Sequence, residues 1–292
     1  MSGSGDFLAQ MADGSRRRLE RARRLRSEAD LRRFVAALPD PLPLRFSDAG
    51  FDLIAELKLR SPAIGKLKAV AGVDLDARVH DYALGGAVAV SVLTEPTRFD
   101  GSMTHLERAA RQLLLDRVPA MRKDFLIDPY QVLEARAAGA GGVLVILRML
   151  PRTEVEALID TALELGMFVL LECFDSTDID LLRELLAPRT AAHDRLLCGV
   201  NCRDLTTLQI VPERLFELVE HLPAHCHRVA ESGVASAEQA ARVAAAGYDL
   251  ALVGSALMTG DSPQPLAASM IQAGRSAHGQ AHRLGRTTGA AS

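Results

Sequence analysis

Through the middle of the chain, short apolar runs alternate with longer stretches in which apolar residues recur every three or four positions. The runs are LIAELKL, AVAVSVL, VPAMRKDF, GGVLVIL, MFVLLECF, LCGVNCRD, HRVAESG and LALVGSAL, the first starting at Leu53 and the last ending at Leu257. Each is short enough for a strand, and each is apolar on both faces, as a strand covered on both sides must be. The intervals, among them THLERAARQLLLD, DPYQVLEARAA, RTEVEALIDTALEL and SAEQAARVAAA, carry the helical period. Gly85-Gly86, Gly139 and Gly247 each stand between a helical stretch and the next run. A glycine there closes a helix by entering the left-handed region.

Eight strands alternating with helices predict a parallel sheet, either open and doubly wound or closed as a (β/α)8 TIM barrel. The count of eight, a repeat spanning about 220 residues and the lack of a Gly-x-Gly-x-x-Gly after the first run favour the closed barrel.

The ends of the chain read differently. SRRRLERARRLRSEADLRRFVAAL is expected to be an amphipathic helix, with Leu19, Leu25, Leu31, Phe34, Val35 and Leu38 as its stripe and its arginines solvated. Glu20, Glu28 and Asp30 are interleaved with those arginines, which argues against an arm for nucleic acid or an acidic membrane. GRSAHGQAHRLGRTTGAAS has little to bury and is expected to be a disordered tail. The expected organisation is a helical extension over 1–48, one barrel domain over 49–273 and a tail over 274–292.

Composition narrows the class. The 292 residues are 48% hydrophobic and 24% charged, enough apolar material for a large core, and the net charge of -3 gives no general attraction to nucleic acid. The longest apolar runs are about eight residues, far short of a membrane span. The four cysteines, Cys173, Cys198, Cys202 and Cys226, form no C-x-x-C pair, so neither a zinc nor a dithiol site is expected. With no signal-peptide pattern, the cytoplasm is the expected compartment.

Charge inside a buried strand is costly, so its position is informative. Glu56 and Lys58 close the first run, Glu95 the second, Lys123 the third, Glu172 the fifth, Asn201 and Arg203 the sixth, and Glu231 and Ser232 the seventh. Side chains alternate along a strand, so Glu56 shares a face with Lys58, and Asn201 with Arg203. In a barrel the C-terminal strand ends meet at one mouth, where active sites of this architecture lie. Each residue also has a structural reading: Lys123 with Asp124 as an outward ion pair, Glu56 with Lys58 as a simple pair, Asn201 as a turn cap. Ser232-Gly233 and Gly254-Ser255 place small residues at the ends of the seventh and eighth strands, where barrels hold phosphate. His225 and His227 precede the seventh strand and are expected at the opposite end. Lysine is therefore the expected proton donor.

The segments IAELKLRSPAIG, AVSVLTEPTRFDGS, PAMRKDFLIDPYQVLEARAAGA, LLEC, GVNCRDLTTL, VAESGV and LVGSALM occur in an order that closely resembles the indole-3-glycerol phosphate synthase family. The resemblance implies a barrel with an extra N-terminal segment across its mouth. It implies closure of 1-(2-carboxyphenylamino)-1-deoxyribulose 5-phosphate to indole-3-glycerol phosphate, with loss of carbon dioxide and water, in tryptophan biosynthesis. No metal or organic cofactor is implied, and the partner is a phosphorylated small molecule. Monomer and homodimer both stay open.

By the same resemblance, Lys123 is the general acid, Glu172 moves a proton during dehydration, Lys58 acts in catalysis and contacts substrate, and Glu56 holds the charged network. Asn201 and Glu231 line the site, with Arg203 the partner in the N-x-R motif. Ser61, Ser232, Gly233, Gly254 and Ser255 match phosphate-holding positions, and Phe99, Phe125 and Pro62 match the walls around the aromatic ring.

The chain departs from the family where S-P-S-K-G is usual: Ser61-Pro62-Ala63-Ile64-Gly65 stands there. Gly139-Ala140-Gly141 replaces GAD, Phe174 stands where His is frequent, and Cys202 where Asn or Ser is usual. These changes leave open a specialised paralogue acting on a substituted anthranilate-derived substrate. An isomerase of the related phosphoribosyl anthranilate needs a Cys on strand one, which is lacking; a catalytically silent phosphate-binding barrel would have lost Lys123 or Glu172.

Overall fold

The computed structural model describes residues 7–61, 65–66, 74–205 and 207–288. Its centre is a closed barrel of eight parallel strands: β1 (Asp52–Leu57), β2 (Ala89–Leu93), β3 (Ala120–Lys123), β4 (Gly142–Ile146), β5 (Phe168–Cys173), β6 (Leu196–Asn201), β7 (His227–Glu231) and β8 (Leu250–Val253). β1 pairs with both β2 and β8, which closes the ring. All eight expected runs are strands, and the open alternative is excluded.

The helices, in chain order, are α1 (Phe7–Leu25), α2 (Glu28–Ala36), α3 (Leu75–Leu84), α4 (Pro96–Phe99), α5 (Met103–Asp116), α6 (Pro129–Ala137), α7 (Arg152–Glu164), α8 (Ser176–Leu186), α9 (Glu213–Leu218), α10 (Ala237–Ala245), α11 (Ser255–Thr259) and α12 (Pro263–Thr288). The expected left-handed glycines after α3, α6 and α10 are present: Gly86, Gly139 and Gly247 have φ of 89°, 89° and 107°. Outward strand residues such as Leu53, Val90, Val143 and Val169 pack under the helices, and inward ones such as Ile54, Met121, Leu144, Leu170 and Val229 fill the barrel.

The Arg-rich stretch folds as two helices rather than one. Ser27 interrupts it, its hydroxyl accepting from Asp30 N at 3.1 Å to cap α2. Leu19, Leu31 and Val35 are buried against Tyr130 and Leu133 of α6, whereas Leu25 is exposed and Phe34 lies under the Arg26 guanidinium, 4.5 Å away. Nor are all its arginines solvated: Arg18 reaches Asp124 and Arg23 reaches Asp128, at 2.7 and 2.8 Å.

This N-terminal segment stoppers the barrel at both ends. Leu8 and Met11 of α1 join the interior core at the C-terminal mouth, and Leu44 and Phe46 join it at the other end, where Phe46 stacks on His227 with ring centroids 3.6 Å apart. The connecting chain passes so close to the β4 entry that a Cβ on Gly141 would lie 2.6 Å from the Leu42 carbonyl. A side chain at this position would force the connecting chain to shift.

The expected tail at 274 does not begin there. α12 runs through it to Thr288, Arg275 donates to Phe51 O at 3.0 Å and Asp52 Oδ1 at 2.8 Å, and Gly274 lies against the Phe51 ring. Within 274–279 the one apolar side chain, Ala277, is only partly buried, and the anchoring partners lie more than two hundred positions away in sequence.

Candidate active site

Lys123 is the last residue of β3, and Asp124 follows it beyond the strand. The alternation of the chain sends them apart. Lys123 Nζ turns into the mouth, 2.9 Å from Glu231 Oε2 and 3.5 Å from Glu172 Oε1. Asp124 turns outward, accepting from Arg18 Nη2 and Thr94 Oγ1, both at 2.7 Å, and pairing with Arg122 at 3.3 Å. The outward ion pair that adjacent Lys and Asp suggest is therefore not formed.

Four strands converge on Lys123. Glu172 is the penultimate residue of β5 and is held by Asn201 of β6, whose Nδ2 donates to Glu172 Oε1 at 2.6 Å. The other end of that amide accepts from Arg203 N at 2.9 Å, so Asn201 is fixed at both ends. Glu231 ends β7, with one oxygen on Lys123 and the other, Oε1, without a hydrogen-bond partner among the described residues. On β1, Glu56 Oε1 pairs with Lys58 Nζ at 2.7 Å.

Two glycines make this packing possible. A Cβ on Gly199 would fall onto Glu231 Oε1, and a Cβ on Gly254 would fall onto Glu56 Oε1. Gly199 was not among the expected site residues; a glycine inside an apolar strand is its only local signal.

The charges hold each other. Burial works against the Lys123 ammonium, but Glu172, Glu231 and Glu56 outweigh it and keep the group protonated above the ordinary lysine range. Burial raises Glu231 and neighbouring Glu172 adds to the effect; even against Lys123 the carboxyl is pushed up to about 8. Burial also raises Glu56, yet Lys58 and Lys123 prevail and hold it below its ordinary value. The site thus keeps a charged lysine beside a carboxyl that titrates near neutrality.

Two adjoining chambers open above this cluster. Glu56, Lys58, Lys123, Asn201, Arg203 and Ser232 line both. One chamber is walled by Phe7, Phe99, Phe125 and Phe174 with Leu144 and Ile146, and also exposes Glu172. The other is lined by Glu231, Gly233, Gly254 and Ser255, at the ends of β7 and β8. Ser232 adopts φ 67° and Gly233 φ 74°. A left-handed serine is uncommon, and such backbone concentrates at functional turns. Cys202 supports this turn: a Cβ on Gly233 would lie 3.0 Å from its sulfur.

Most expected residues are thus brought together, and a few are not. Glu95, counted with the mouth charges, instead caps α4, accepting from Thr97 N at 2.9 Å and Arg98 N at 2.7 Å. Ser61 is placed only by its backbone pairing with Gly65, and Pro62 lies outside the described residues. Arg203 reaches the chambers while donating to Leu208 O at 2.8 Å. Phe7 and Phe174 were not expected as walls. Phe174 is buried, with the Arg148 guanidinium 4.9 Å from its ring centre. All four cysteines are buried and unpaired, and among the described residues no cluster of three or more His, Cys, Asp or Glu is placed to hold a metal ion.

Solved barrels share the architecture at low identity. 3-Hexulose-6-phosphate synthase from Salmonella typhimurium superposes with a TM-score of 0.57 at 16% identity, over 78% of this chain and 100% of that one. Thiamine phosphate pyrophosphorylase from Pyrococcus furiosus does so at 0.56 and 14%, over 79% and 98%. These likenesses concern the fold alone.

Sequence relatives are far closer. Indole-3-glycerol phosphate synthase from Parafrankia sp. (strain EAN1pec) is 39% identical over 91% of this chain and 96% of its own length. The Micrococcus luteus protein of the same name is 40% identical over 88% and 94%. The family model for indole-3-glycerol phosphate synthase matches residues 8–269, a span that takes in α1 from its second residue, every barrel strand and the whole mouth cluster. With that coverage and identity, the chain belongs to the indole-3-glycerol phosphate synthase family.

Proposed function

We propose that the protein closes 1-(2-carboxyphenylamino)-1-deoxyribulose 5-phosphate to indole-3-glycerol phosphate. The observation that carries this is the position of Lys123 at the junction of a phenyl-walled chamber and a chamber ending in small-residue turns. A substrate with an aromatic acid at one end, a phosphate at the other and a carbonyl between them matches that shape and its polarity.

In the first step the ring carbon bearing the carboxylate attacks the sugar carbonyl carbon. The carbonyl electron pair moves to oxygen, which takes a proton from the Lys123 ammonium. Charge develops at that oxygen only as the bond forms, so a fixed ammonium stabilises the transition state more than the ground state. Carbon dioxide then leaves, and its bonding pair restores the aromatic ring. The new hydroxyl departs as water, and Glu172, oriented by Asn201, transfers the proton that this elimination requires.

Lys58 contacts the substrate, with Glu56 keeping its charge in place; Glu231 backs Lys123. Ser61, Ser232, Gly233, Gly254 and Ser255 hold the phosphate with Arg203 beside them, and Phe99, Phe125 and Pro62 flank the ring. Phosphate binding supplies remote energy that positions the reacting end. No metal or organic cofactor enters this scheme. The setting is cytoplasmic tryptophan biosynthesis; among the described residues no helix is long and apolar enough to cross a membrane.

Purified protein incubated with the carboxyphenylamino-deoxyribulose phosphate tests this by the rise of indole absorbance matched to released carbon dioxide. Turnover supports the assignment. Turnover only of ring-substituted analogues would move it to a specialised paralogue, and none with either, in a protein that binds the product, would leave a silent barrel.

A further inference from the structure

Around the outer side of the mouth lies a charged cluster that takes no part in the scheme above. The Asp124 and Glu95 side chains are each 1% exposed, and Arg122 beside them is 3% exposed. Arg18, reaching in from α1, meets both carboxylates: Nη2 lies 2.7 Å from Asp124 Oδ1 and Nη1 3.6 Å from Glu95 Oε1. Arg122 also pairs with Glu134 at 3.3 Å, and buried carboxylates left without a cation are strongly unfavourable, so Asp124 and Glu95 depend on Arg18 as well as on Arg122.

Each corner of the cluster carries one phenyl of the apolar chamber. Asp124 Oδ1 accepts from Phe125 N at 2.8 Å and fixes that residue. Glu95 caps α4, the helix that ends in Phe99. Arg18 belongs to α1, whose first residue is Phe7. The three rings touch: Phe7 meets Phe125 edge-on with centroids 5.8 Å apart, and Phe99 lies 6.2 Å from Phe125.

We propose that Arg18 is a positioning residue for the substrate's aromatic end, a latch that assembles the Phe7, Phe99 and Phe125 wall by joining α1, the β3 end and α4. This rests on the reading of the apolar chamber as the seat of the anthranilate ring. The rest of α1 has its own anchors. Gln131 Nε2 donates to Ser15 Oγ at 2.8 Å, and the Tyr130 hydroxyl lies within 3.2 Å of Ala22 O. Loss of Arg18 therefore loosens the wall without releasing the whole helix.

Arg18→Met tests the latch. It is expected to raise KM about tenfold with kcat within about twofold, because ring placement acts on binding and Lys123 is untouched. Affinity for inorganic phosphate, which probes the other chamber, is expected to stay unchanged. Arg18→Lys keeps one of the two ion pairs and is expected to restore part of the KM. Arg18→Met/Asp124→Asn removes the uncompensated charge, so it is expected to regain stability while KM stays high.

An unchanged KM in Arg18→Met, or a normal KM in the double variant, would overturn the proposal. Hydrogen exchange of the ligand-free proteins decides it without activity. Arg18→Met is expected to speed exchange both in the first turns of α1 and at the Thr97 and Arg98 amides, and unchanged exchange at those two amides would overturn the latch. Absent turnover in the wild type would count against the substrate assignment, while exchange would still decide the latch.

Discussion

Lys123 Nζ donates to Glu231 Oε2 at 2.9 Å, while the second oxygen of the same carboxylate faces the bare backbone of Gly199 and has no hydrogen-bond partner among the described residues. This one-sided arrangement makes Glu231 unusual. Burial and Glu172 raise its carboxyl to about 8, and Lys123 opposes them without prevailing.

A pH dependence of stability follows. Above its ordinary value of 4.5 the unfolded chain releases the Glu231 proton, whereas the folded protein keeps it until about pH 8. The stability contributed by this group is complete below 4.5 and is lost as pH rises through that window. Relative to Glu231→Gln, the wild type is expected to lose about 1 kcal/mol per pH unit, the slope of one proton. Urea midpoints of both proteins from acid to neutral pH measure this; parallel curves would show that Glu231 does not take up a proton on folding.

Gly199→Ala drives a methyl into Glu231 Oε1 and to 3.0 Å from Leu170 Cδ1. The overpacked barrel is expected to lose about 1–3 kcal/mol of stability. Displacing Glu231 from Lys123 is expected to lower kcat by about a hundredfold, in the range of a misplaced proton-transfer group. Denaturation and steady-state kinetics on the same preparation check both, and a normal kcat would show that the Lys123–Glu231 contact is dispensable.

Arg275→Ala tests the far end of the molecule. Asp52 is 2% exposed and also accepts from Ser47 N at 2.8 Å, so removing Arg275 strips one partner from a buried carboxylate. The expected cost is about 1–3 kcal/mol. kcat and KM of the folded protein are expected to be unchanged, since α12 packs against the start of β1 and not its mouth; a fall in kcat would tie the helix to the site.

The barrel was legible because its strands are apolar on both faces and their charges fall at one end. Lys123, Glu172, Asn201 and Glu231 could be placed at the mouth from strand direction alone. Glu95 and Asp124 could not be told from them: Glu95 lies two positions past the end of β2 and Asp124 one past the end of β3, and there the side chain caps a helix or pairs outside. The break between α1 and α2 depends on the Ser27 cap, hidden in a run of arginines with helical periodicity. Residues 274–288 looked unstructured because their anchors, Phe51 and Asp52, are distant in sequence. Phe7 became a wall only because α1 folds back across the mouth.

Proton donation from Lys123 to the substrate carbonyl is the step on which the proposed reaction turns. The most direct measurement is single-turnover kinetics of Lys123→Met beside calorimetric binding of indole-3-glycerol phosphate. A fall in rate of about 100- to 10,000-fold, the span associated with losing a positioned acid, is expected while product affinity stays within about threefold. A variant that keeps more than about a tenth of the wild-type rate, or loses rate and affinity in the same proportion, would contradict a proton-donating role for Lys123.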